Sequence, residues 1–478
     1  MRVRLGKSVG HLMAWMIAVC WAGSLIAETT RKPNILLIVA DDLGYEDLGF
    51  QGVKDIPTPS IDALAASGVR LSDGYVTGTW CSPTRAGLLT GRYQQRFGAA
   101  GHEPVPGNGL SLDEITIADR LREAGYVTGI VGKWHLGVTP EFHPLKRGFD
   151  EFFGFLDGGH VFFPDWPIII FPDETGAGPD FGEIPEGRAT LDHQIRRGTE
   201  RVEEPEYLTD AFAREAVSFI QQHQKKPFFL YLSFNAVHTP MHATQDRLAK
   251  FDSVTHPVRK IYNAMTLAMD EAIGRVMDQL KRSGLEQDTL VFFISDNGGP
   301  TVQRYAYNAS SNAPLRGSKG STLEGGIRVP FVVSWPGHLP KDEIYDKPAI
   351  ALDILPTALA AAGVDAKPES DLDGVNLLPY LRGESDRQPH EVLYWRSWGQ
   401  MAVRKGDWKL VRYTAKMDDD EFPYPASRKE VTPMRLYNLK RDIGESNDLS
   451  SREPEKFTEL RALWDTWNAE LGPEAQWW

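Results

Sequence analysis

Short apolar runs alternate with amphipathic segments along most of the chain. The runs typical of buried strands are NILLIVA from Asn34, YVTGIVG from Tyr126, PFFLYLSF from Pro227, TLVFFIS from Thr289 and VPFVVSW from Val329. Helical patterns lie between them, in SLDEITIADRLREAG, where Ser111 and Glu114 have the spacing of a capping box, and from about Tyr262 to Arg282. Strands that alternate with helices predict an α/β fold with a large, mostly parallel sheet sandwiched by helices.

The C-terminal part of the chain has a different pattern. From about Pro389, HEVLYWRSW, MAVRKGDWKLVRY and MRLYNL are typical of antiparallel strands, and an amphipathic helix follows from Pro454 to Leu471. We therefore expect a main domain over residues 28–388 and a smaller α+β domain with an antiparallel sheet over residues 389–478. Within the main domain, the stretch from about Asp157 to Glu206 has little periodicity, which predicts a lid or a substrate loop.

Residues 1–27 have the features of a signal peptide. Three cations precede an apolar run over residues 12–26, which ends in small residues. This run is short for a bilayer span and no later run reaches membrane length, so we expect no integral membrane segment in the mature chain. We expect export to the periplasm or the extracellular space, with a lipoprotein acylated at Cys20 as the alternative. NAS at Asn308 fits a glycan acceptor only in a host that glycosylates.

Net charge and cysteine content limit which partners and which reactions are expected. The sequence has 52 Lys and Arg against 65 Asp and Glu, a net charge of −13, so nucleic acid is not an expected partner. A few local cations can still bind an anionic small ligand in a cleft, because screening limits exposed charges to a reach of about 8 Å. Beyond the leader, Cys81 is the only cysteine. It has no disulfide partner, which leaves a chemical role or a small buried hydrophobe as interpretations.

Polar residues follow four of the predicted strands. NILLIVA is followed by DDLG, TLVFFIS by DNGG, YVTGIVG by KWHLG and PFFLYLSFNAV by HTP. In parallel α/β sheets, ligands bind at the carboxyl ends of the strands. We therefore expect these residues to share one polar cleft.

Two of these strand ends supply only oxygen ligands, from Asp41, Asp42, Asp296 and Asn297. Hard oxygen donors suit calcium or magnesium rather than zinc. Three converging carboxylates would also repel each other without a cation, which favours a metal site. A pair of Asx-capped turns is the alternative interpretation.

Two further strand ends supply hydrogen-bond donors from Lys133, His135 and His238, and RGSKGS adds a fourth donor, Lys319. Together they could hold a tetrahedral anion and shuttle protons. Each alone also fits a structural histidine or a solvated lysine.

Cys81 opens the stretch CSPTRAGLLTGR, in which Pro83 is two and Arg85 four places further on. Proline at an early helical position predicts a helix whose free amides face a bound anion. The stretch resembles the Cys-x-Pro-x-Arg signature of the formylglycine-dependent (type I) sulfatases, which belong to the alkaline phosphatase superfamily. DDLGYEDLG, GKWHLG, HTP, SDNGG, GSKGSTLEGGIRVP and LDGVNLLP occur in the family's order, so the resemblance covers nearly the whole mature chain.

This resemblance implies an alkaline phosphatase-like fold and the hydrolysis of sulfate esters. In the family, a formylglycine-generating enzyme or an anaerobic sulfatase-maturating enzyme oxidises the motif cysteine, here Cys81, to formylglycine. One hydroxyl of the hydrated aldehyde attacks the ester to give a sulfo-enzyme intermediate, and the other expels sulfate as the aldehyde forms again.

The resemblance also implies roles for the candidate residues. Those that would hold one Ca²⁺ per subunit are Asp41, Asp42, modified Cys81, Asp296 and Asn297. Arg85 and Lys133 would anchor the formylglycine oxygens, and His135 would be the base that drives sulfate elimination. His238 and Lys319 would clamp sulfate and protonate the departing alcohol.

The substrate class rests on one longer stretch, GKWHLGVTPEFHPLKRGFDEFFGF, which is similar to the branch that contains N-acetylgalactosamine-6-sulfatases. It implies a sulfated carbohydrate of the galactose or N-acetylgalactosamine type. Residues that could contact the sugar are His102, His143, Arg147, His160 and Arg304, although surface charge explains each more simply. The alternatives are a phosphodiesterase or phosphonate hydrolase of the same superfamily, and a sulfated-glycan-binding protein with an unmodified cysteine.

Overall fold

The computed structural model describes residues 31–98, 109–163, 194–301, 307–365, 372–414 and 431–471. The predicted leader over residues 1–27 and Cys20 lie outside these ranges, as do residues 164–193 of the predicted lid. The described residues from Lys32 onward belong to one compact unit. In the described ranges, no helix has both the length and the apolar character needed to cross a membrane.

The strands and helices follow the predicted alternation. The strands are β1 (Asn34–Ala40), β2 (Val69–Leu71), β3 (Gly74–Tyr75), β4 (Val127–Lys133), β5 (Glu151–Phe155), β6 (Arg196–Arg197), β7 (Glu200–Arg201), β8 (Phe228–Ser233), β9 (Thr289–Ser295), β10 (Phe331–Ser334), β11 (Glu343–Tyr345), β12 (Ala349–Ile350), β13 (Val392–Ser397), β14 (Gln400–Lys405), β15 (Trp408–Arg412) and β16 (Arg435–Asn438). The helices are α1 (Pro59–Ala66), α2 (Cys81–Thr90), α3 (Ile117–Glu123), α4 (Leu208–His223), α5 (Gln245–Leu248), α6 (Pro257–Arg282), α7 (Glu324–Ile327), α8 (Ile354–Ala361), α9 (Leu378–Leu381) and α10 (Pro454–Glu470).

The large sheet has the strand order β11-β2-β10-β9-β1-β8-β4-β5-β6-β7. Its centre, from β9 through β1, β8 and β4 to β5, is parallel. β10 pairs with β9 in the antiparallel direction, with Phe331 opposite Ile294. The predicted large, mostly parallel sheet is confirmed, and the antiparallel strands lie toward its edges.

Alternate side chains of each strand point to opposite sides of the large sheet, and a hydrophobic core covers each face. Ile35, Leu37 and Val39 of β1 belong to the core that contains α2, α3 and α8 residues. Leu36 and Ile38 belong to the opposite core, which contains residues of α4 and α6. All of these β1 side chains are fully buried, which explains why the strand reads as a continuous apolar run.

The start of α3 differs from the predicted one. Thr116 and Asp119 form the capping box there, and the helix begins at Ile117. The predicted capping box of Ser111 and Glu114 lies five residues before the observed one. The Glu114 carboxylate instead accepts hydrogen bonds of 2.7 and 2.9 Å from Arg92. Of the predicted lid, β6 and β7 form a hairpin at the sheet edge rather than an irregular loop.

The C-terminal strands form a second, antiparallel sheet in the order β13-β14-β15-β16. One face packs with Leu460 and Trp464 of α10 around Met401 and Leu410. Trp395 and its neighbours on the other face belong to the core of the large sheet. The small antiparallel sheet is confirmed, while a domain boundary at residues 388/389 stays a prediction.

Candidate active site

Two buried strands deliver the acidic residues to one edge of the large sheet. Asp41 and Asp42 directly follow β1, and Asp296 and Asn297 directly follow the neighbouring strand β9. All four side chains are fully buried. The Asn297 amide donates to Asp42 Oδ1 over 2.6 Å, which ties the two strand ends together.

Cys81 lies at the first position of α2 and is buried next to these residues. Its Sγ and carboxylate oxygens of Asp41 and Asp296 all lie within 4.8 Å of one another. Burial raises the pKa of the Cys81 thiol, although Lys133 and Lys319 oppose this shift. The thiol is therefore mainly protonated at neutral pH.

Arg85 follows Cys81 by about one helical turn, and its side chain contacts Asp296. Its Nε and Nη2 donate to Asp296 Oδ2 over 3.0 and 2.7 Å, and its Nη1 donates to the Tyr231 hydroxyl over 3.2 Å. The guanidinium is fully buried. Without this cation, Asp296 would be an uncompensated charge in the interior.

The other two carboxylates contact lysines. Lys133 Nζ, from the end of β4, lies 2.6 Å from Asp41 Oδ2. Lys319 Nζ lies 2.7 Å from Asp42 Oδ1. Burial alone would raise the pKa of Asp41, but Lys133 brings it below its ordinary value. The three converging carboxylates were expected to need a cation, which favoured a metal. Protein cations contact each of them, so the repulsion alone does not distinguish a metal from these side chains.

His135 follows β4 and adopts a left-handed backbone conformation with φ of 57°. Both of its ring nitrogens are buried without a hydrogen-bond partner among the described residues. Burial and the cations Lys133 and Arg85 hold its pKa well below the ordinary value. His135 is thus a neutral imidazole at pH 7 with an available lone pair. Gly158 packs so closely over it that an added Cβ would lie 2.7 Å from Nε2.

His238 follows β8 and faces the same carboxylates. Its Nε2 lies 3.6 Å from Asp42 Oδ2, and its Nδ1 lies 2.6 Å from the Thr239 carbonyl. The carbonyl can only accept, so Nδ1 carries a proton and Nε2 faces the cluster. Burial and nearby Lys319 lower the pKa of His238.

The donor set fits a hard divalent cation. It combines carboxylate oxygens with one amide oxygen, which is the chemistry calcium prefers. Two of these atoms, Asp41 Oδ1 and Asn297 Oδ1, are buried without a hydrogen-bond partner in the described part of the chain. Buried polar atoms are normally paired, so two unpaired oxygens in one acidic cluster indicate a cation-binding position.

All candidate catalytic and metal-binding residues therefore lie together, but sequence reasoning missed Asn308. This residue is fully buried, and its amide donates to the carbonyl oxygens of Asp42 and Val237 over 3.1 and 3.0 Å. A glycan acceptor at Asn308 is therefore wrong. The NAS motif does not indicate that Asn308 binds these two carbonyl oxygens, because this depends on tertiary contacts.

The structure describes three of the five candidate sugar-contact residues. His102 and Arg304 lie outside the described residues. Arg147 donates to backbone carbonyls of Leu110 and Ser111, so it is structural. His143 accepts from Leu145 N over 3.3 Å and is also structural.

His160 is the remaining sugar candidate. It follows Gly158 and Gly159, whose added Cβ atoms would lie 2.7 Å from His135 and 3.8 Å from His238. The segment that carries His160 is thus next to the site.

Comparison with known proteins decides the family. The Sulfatase family model matches residues 33–364, which is more than half of the chain. The chain belongs to the sulfatase family. A second model, N-sulphoglucosamine sulphohydrolase, C-terminal, matches residues 318–462.

Individual sulfatases match over almost the full length. The chain is 37% identical to arylsulfatase A of Bos taurus over 456 residues, which cover 91% of this chain and 86% of that protein. It is 33% identical to N-acetylgalactosamine-6-sulfatase of Mus musculus over 468 residues, 91% of this chain and 85% of that protein. The crystal structure of Ps i-CgsB in complex with k-i-k-neocarrahexaose is 36% identical, with a TM-score of 0.81, and the match covers 94% and 95% of the two chains. The chain is a sulfuric ester hydrolase with the fold of this family.

Proposed function

We propose that this enzyme removes sulfate from carbohydrates, with galactose or N-acetylgalactosamine sulfates as the substrate class. One relative is named for N-acetylgalactosamine 6-sulfate, and one similar structure holds k-i-k-neocarrahexaose. The observation that carries the proposal is the buried cluster in which Cys81 Sγ and the Asp41 and Asp296 oxygens lie within 4.8 Å.

Cys81 would act as formylglycine rather than as a thiol, after oxidation by one of the two maturation enzymes named above. Its hydrated aldehyde would supply the hydroxyl that attacks the sulfate ester. The raised pKa of the buried thiol argues against the unmodified cysteine as the nucleophile, because the thiolate is the nucleophilic form of cysteine.

One calcium ion is the proposed metal. Its ligands would be the oxygens of Asp41, Asp42, Asp296 and Asn297 and of modified Cys81. When bound, it would lower the pKa of a hydroxyl at position 81 and polarise a sulfate oxygen.

Arg85 and Lys133 would orient the side chain at position 81. Both are buried and contact the carboxylates that surround Cys81, which leaves little room for reorientation. Neutral His135 would accept a proton from position 81 as sulfate leaves. The Ser82 hydroxyl donates to the His135 carbonyl over 2.9 Å and so connects the two segments.

His238 and Lys319 would bind the sulfate and serve the leaving alcohol. Lys319 stays charged, since Asp42 raises its pKa despite burial. An approaching sulfate anion would favour the charged imidazole of His238. A proton acquired at Nε2 in this way can pass to the leaving oxygen.

Export remains part of the proposal. The apolar run over residues 12–26 supports it, and an exported enzyme would meet extracellular or periplasmic sulfated glycans.

The test is a screen of sulfate release from defined sulfated mono- and oligosaccharides by protein produced with a maturation enzyme. Phosphate diesters and phosphonate esters run in parallel. The same sample is digested with trypsin, and the mass of the peptide over residues 71–85 reports the state of Cys81. We expect an aldehyde in this peptide and sulfate release from galactose or N-acetylgalactosamine sulfates.

Two outcomes would contradict the proposal. Faster turnover of phosphate or phosphonate esters than of every sulfate ester would favour the phosphoester alternative. An unmodified cysteine together with glycan binding and no turnover would favour a binding protein.

A further inference from the structure

The tip of the β13–β14 hairpin, Ser397–Gln400, reaches the active site from the small sheet. The Ser397 hydroxyl lies 3.0 Å from the Thr79 hydroxyl, two residues before Cys81. The Gln400 amide donates to the Gly320 carbonyl over 2.7 Å, one residue after Lys319. The tip therefore contacts the segments that carry two of the proposed catalytic residues.

The turn at this tip has an unusual sequence for its backbone. Trp398 and Gly399 both have positive φ, 49° and 79°, which is the pattern of a type I′ hairpin turn. Asn-Gly is the preferred pair in such turns, because a bulky residue is disfavoured in the left-handed region. A tryptophan at this position indicates that its side chain is needed where the turn holds it.

The side chain of Trp398 lies next to the site. Its ring centroid is 5.8 Å from that of Trp80, and Lys319 Nζ is 5.6 Å from the Trp80 ring centroid. Trp80 itself is buried, and it is the residue directly before Cys81. Trp398 is only half-buried, so part of its surface stays accessible beside the proposed sulfate-binding residues.

We propose that Trp398 is a specificity-determining residue, whose indole packs against a sugar ring of the sulfated substrate. This inference rests on the proposed function. A pyranose ring has an apolar face of C–H groups and a polar edge, which an indole matches with its large apolar face and its N–H. The small sheet thereby contributes to recognition of the sugar, while the large sheet holds the sulfate.

The experiment compares Trp398→Ala and Trp398→Phe with the parent enzyme. The substrate is the sulfated oligosaccharide turned over fastest in the screen, and inorganic sulfate serves as a competitive inhibitor that has no sugar. Trp398→Ala should raise KM about tenfold and change kcat less than about twofold, and Trp398→Phe should retain most of the affinity. The inhibition constant of inorganic sulfate should not change.

Trp408→Ala is the matched control, because Trp408 is a half-buried tryptophan at the opposite end of the same sheet. Its KM should equal that of the parent. An unchanged KM in Trp398→Ala would overturn the inference. An equal weakening of inhibition by inorganic sulfate would also overturn it, because it would indicate that Trp80 or Lys319 has been displaced.

Binding of the same oligosaccharide to the full chain with Cys81→Ala, measured by calorimetry, separates this inference from the proposed function. We expect Trp398→Ala to weaken that binding about tenfold as well. A parent enzyme with no sulfatase activity would contradict the proposed function. Equal oligosaccharide binding with and without Trp398 would contradict only the inference.

Discussion

At the scale of single residues, the site is a set of buried ion pairs rather than an isolated acidic cluster. The pairs are Asp41 with Lys133, Asp42 with Lys319, and Asp296 with Arg85. Removing one partner of such a pair leaves a buried charge without compensation. In the proposed mechanism the same cations also interact with the incoming sulfate, so we expect them to affect both stability and catalysis.

Lys319→Ala tests this dual role. The variant should lose about 10²- to 10³-fold in kcat/KM, because in the proposed mechanism this buried positive charge stabilises the developing negative charge. Lys319→Arg should retain more activity than Lys319→Ala, since it keeps the charge. Initial rates of sulfate release provide the measurement.

Lys405→Ala is the control for this comparison. Lys405 pairs with Glu459 over 2.7 Å, and its side chain is 42% exposed, so its loss should leave kcat/KM unchanged. A rate for Lys319→Ala within threefold of the parent would remove Lys319 from the mechanism.

At the scale of elements, the loop that carries Lys319 is held by Glu445, which lies between β16 and α10. The Glu445 carbonyl accepts from Arg316 Nη1 over 2.9 Å, and its carboxylate accepts from Glu324 N over 2.6 Å. Lys409 Nζ of β15 lies 2.9 Å from the same carboxylate. Both ends of the 316–324 loop are thus tied to one buried residue, one end through the Glu445 backbone carbonyl and the other through its carboxylate.

This arrangement predicts a pH-dependent stability. Burial raises the pKa of Glu445 to about 7 from an ordinary value of 4.5. The folded protein then holds this proton more tightly than the unfolded chain. The stabilising contribution is complete below pH 4.5, declines as the pH rises, and is lost above about pH 7.

The measurement is the free energy of unfolding in urea at pH 5 and pH 8 for the parent and for Glu445→Gln. The stability of the parent relative to the variant should fall between these pH values. Glu286→Gln, at an exposed position, should show no such trend. A difference between parent and Glu445→Gln that stays constant or grows toward pH 8 would refute the assignment.

The elements themselves were predictable where one local pattern dominates. β1 and β9 read as strands because every side chain in them is buried, and the polar residues after them identify the sheet edge. The start of α3 was not predictable, since two capping-box spacings lie five residues apart. In the structure Glu114 pairs with Arg92, a contact that the local spacing does not indicate, and Thr116 and Asp119 cap the helix.

At the scale of the whole molecule, the site joins segments that are far apart in the chain. Asp42 and Asn297 are 255 positions apart and yet share a hydrogen bond. Their meeting was predictable from the rule that parallel strands end at one edge. The position of Trp398 beside the site was not predictable, because HEVLYWRSW predicts a strand but not which residues the tip of its hairpin contacts.

The proposed calcium ion should stabilise the whole molecule. A ligand that binds only the folded state at a hundred times its Kd contributes about 2.7 kcal/mol to the free energy of unfolding. We therefore expect calcium to raise Tm and EGTA to lower it, as measured by thermal unfolding.

Asp41→Asn is the matched variant, because it removes a carboxylate charge at nearly constant volume. Its Tm should respond little to calcium. A parent protein whose Tm is the same in calcium and in EGTA would contradict a calcium site at this position.

The most direct test of the central claim is the rate of sulfate release from the best sulfated oligosaccharide by Cys81→Ala and by the parent, both produced with a maturation enzyme. Cys81 is small and buried, so the variant should fold with a Tm close to that of the parent. We expect Cys81→Ala to release no sulfate above background. Sulfate release at the parental rate by the folded variant would contradict the central claim.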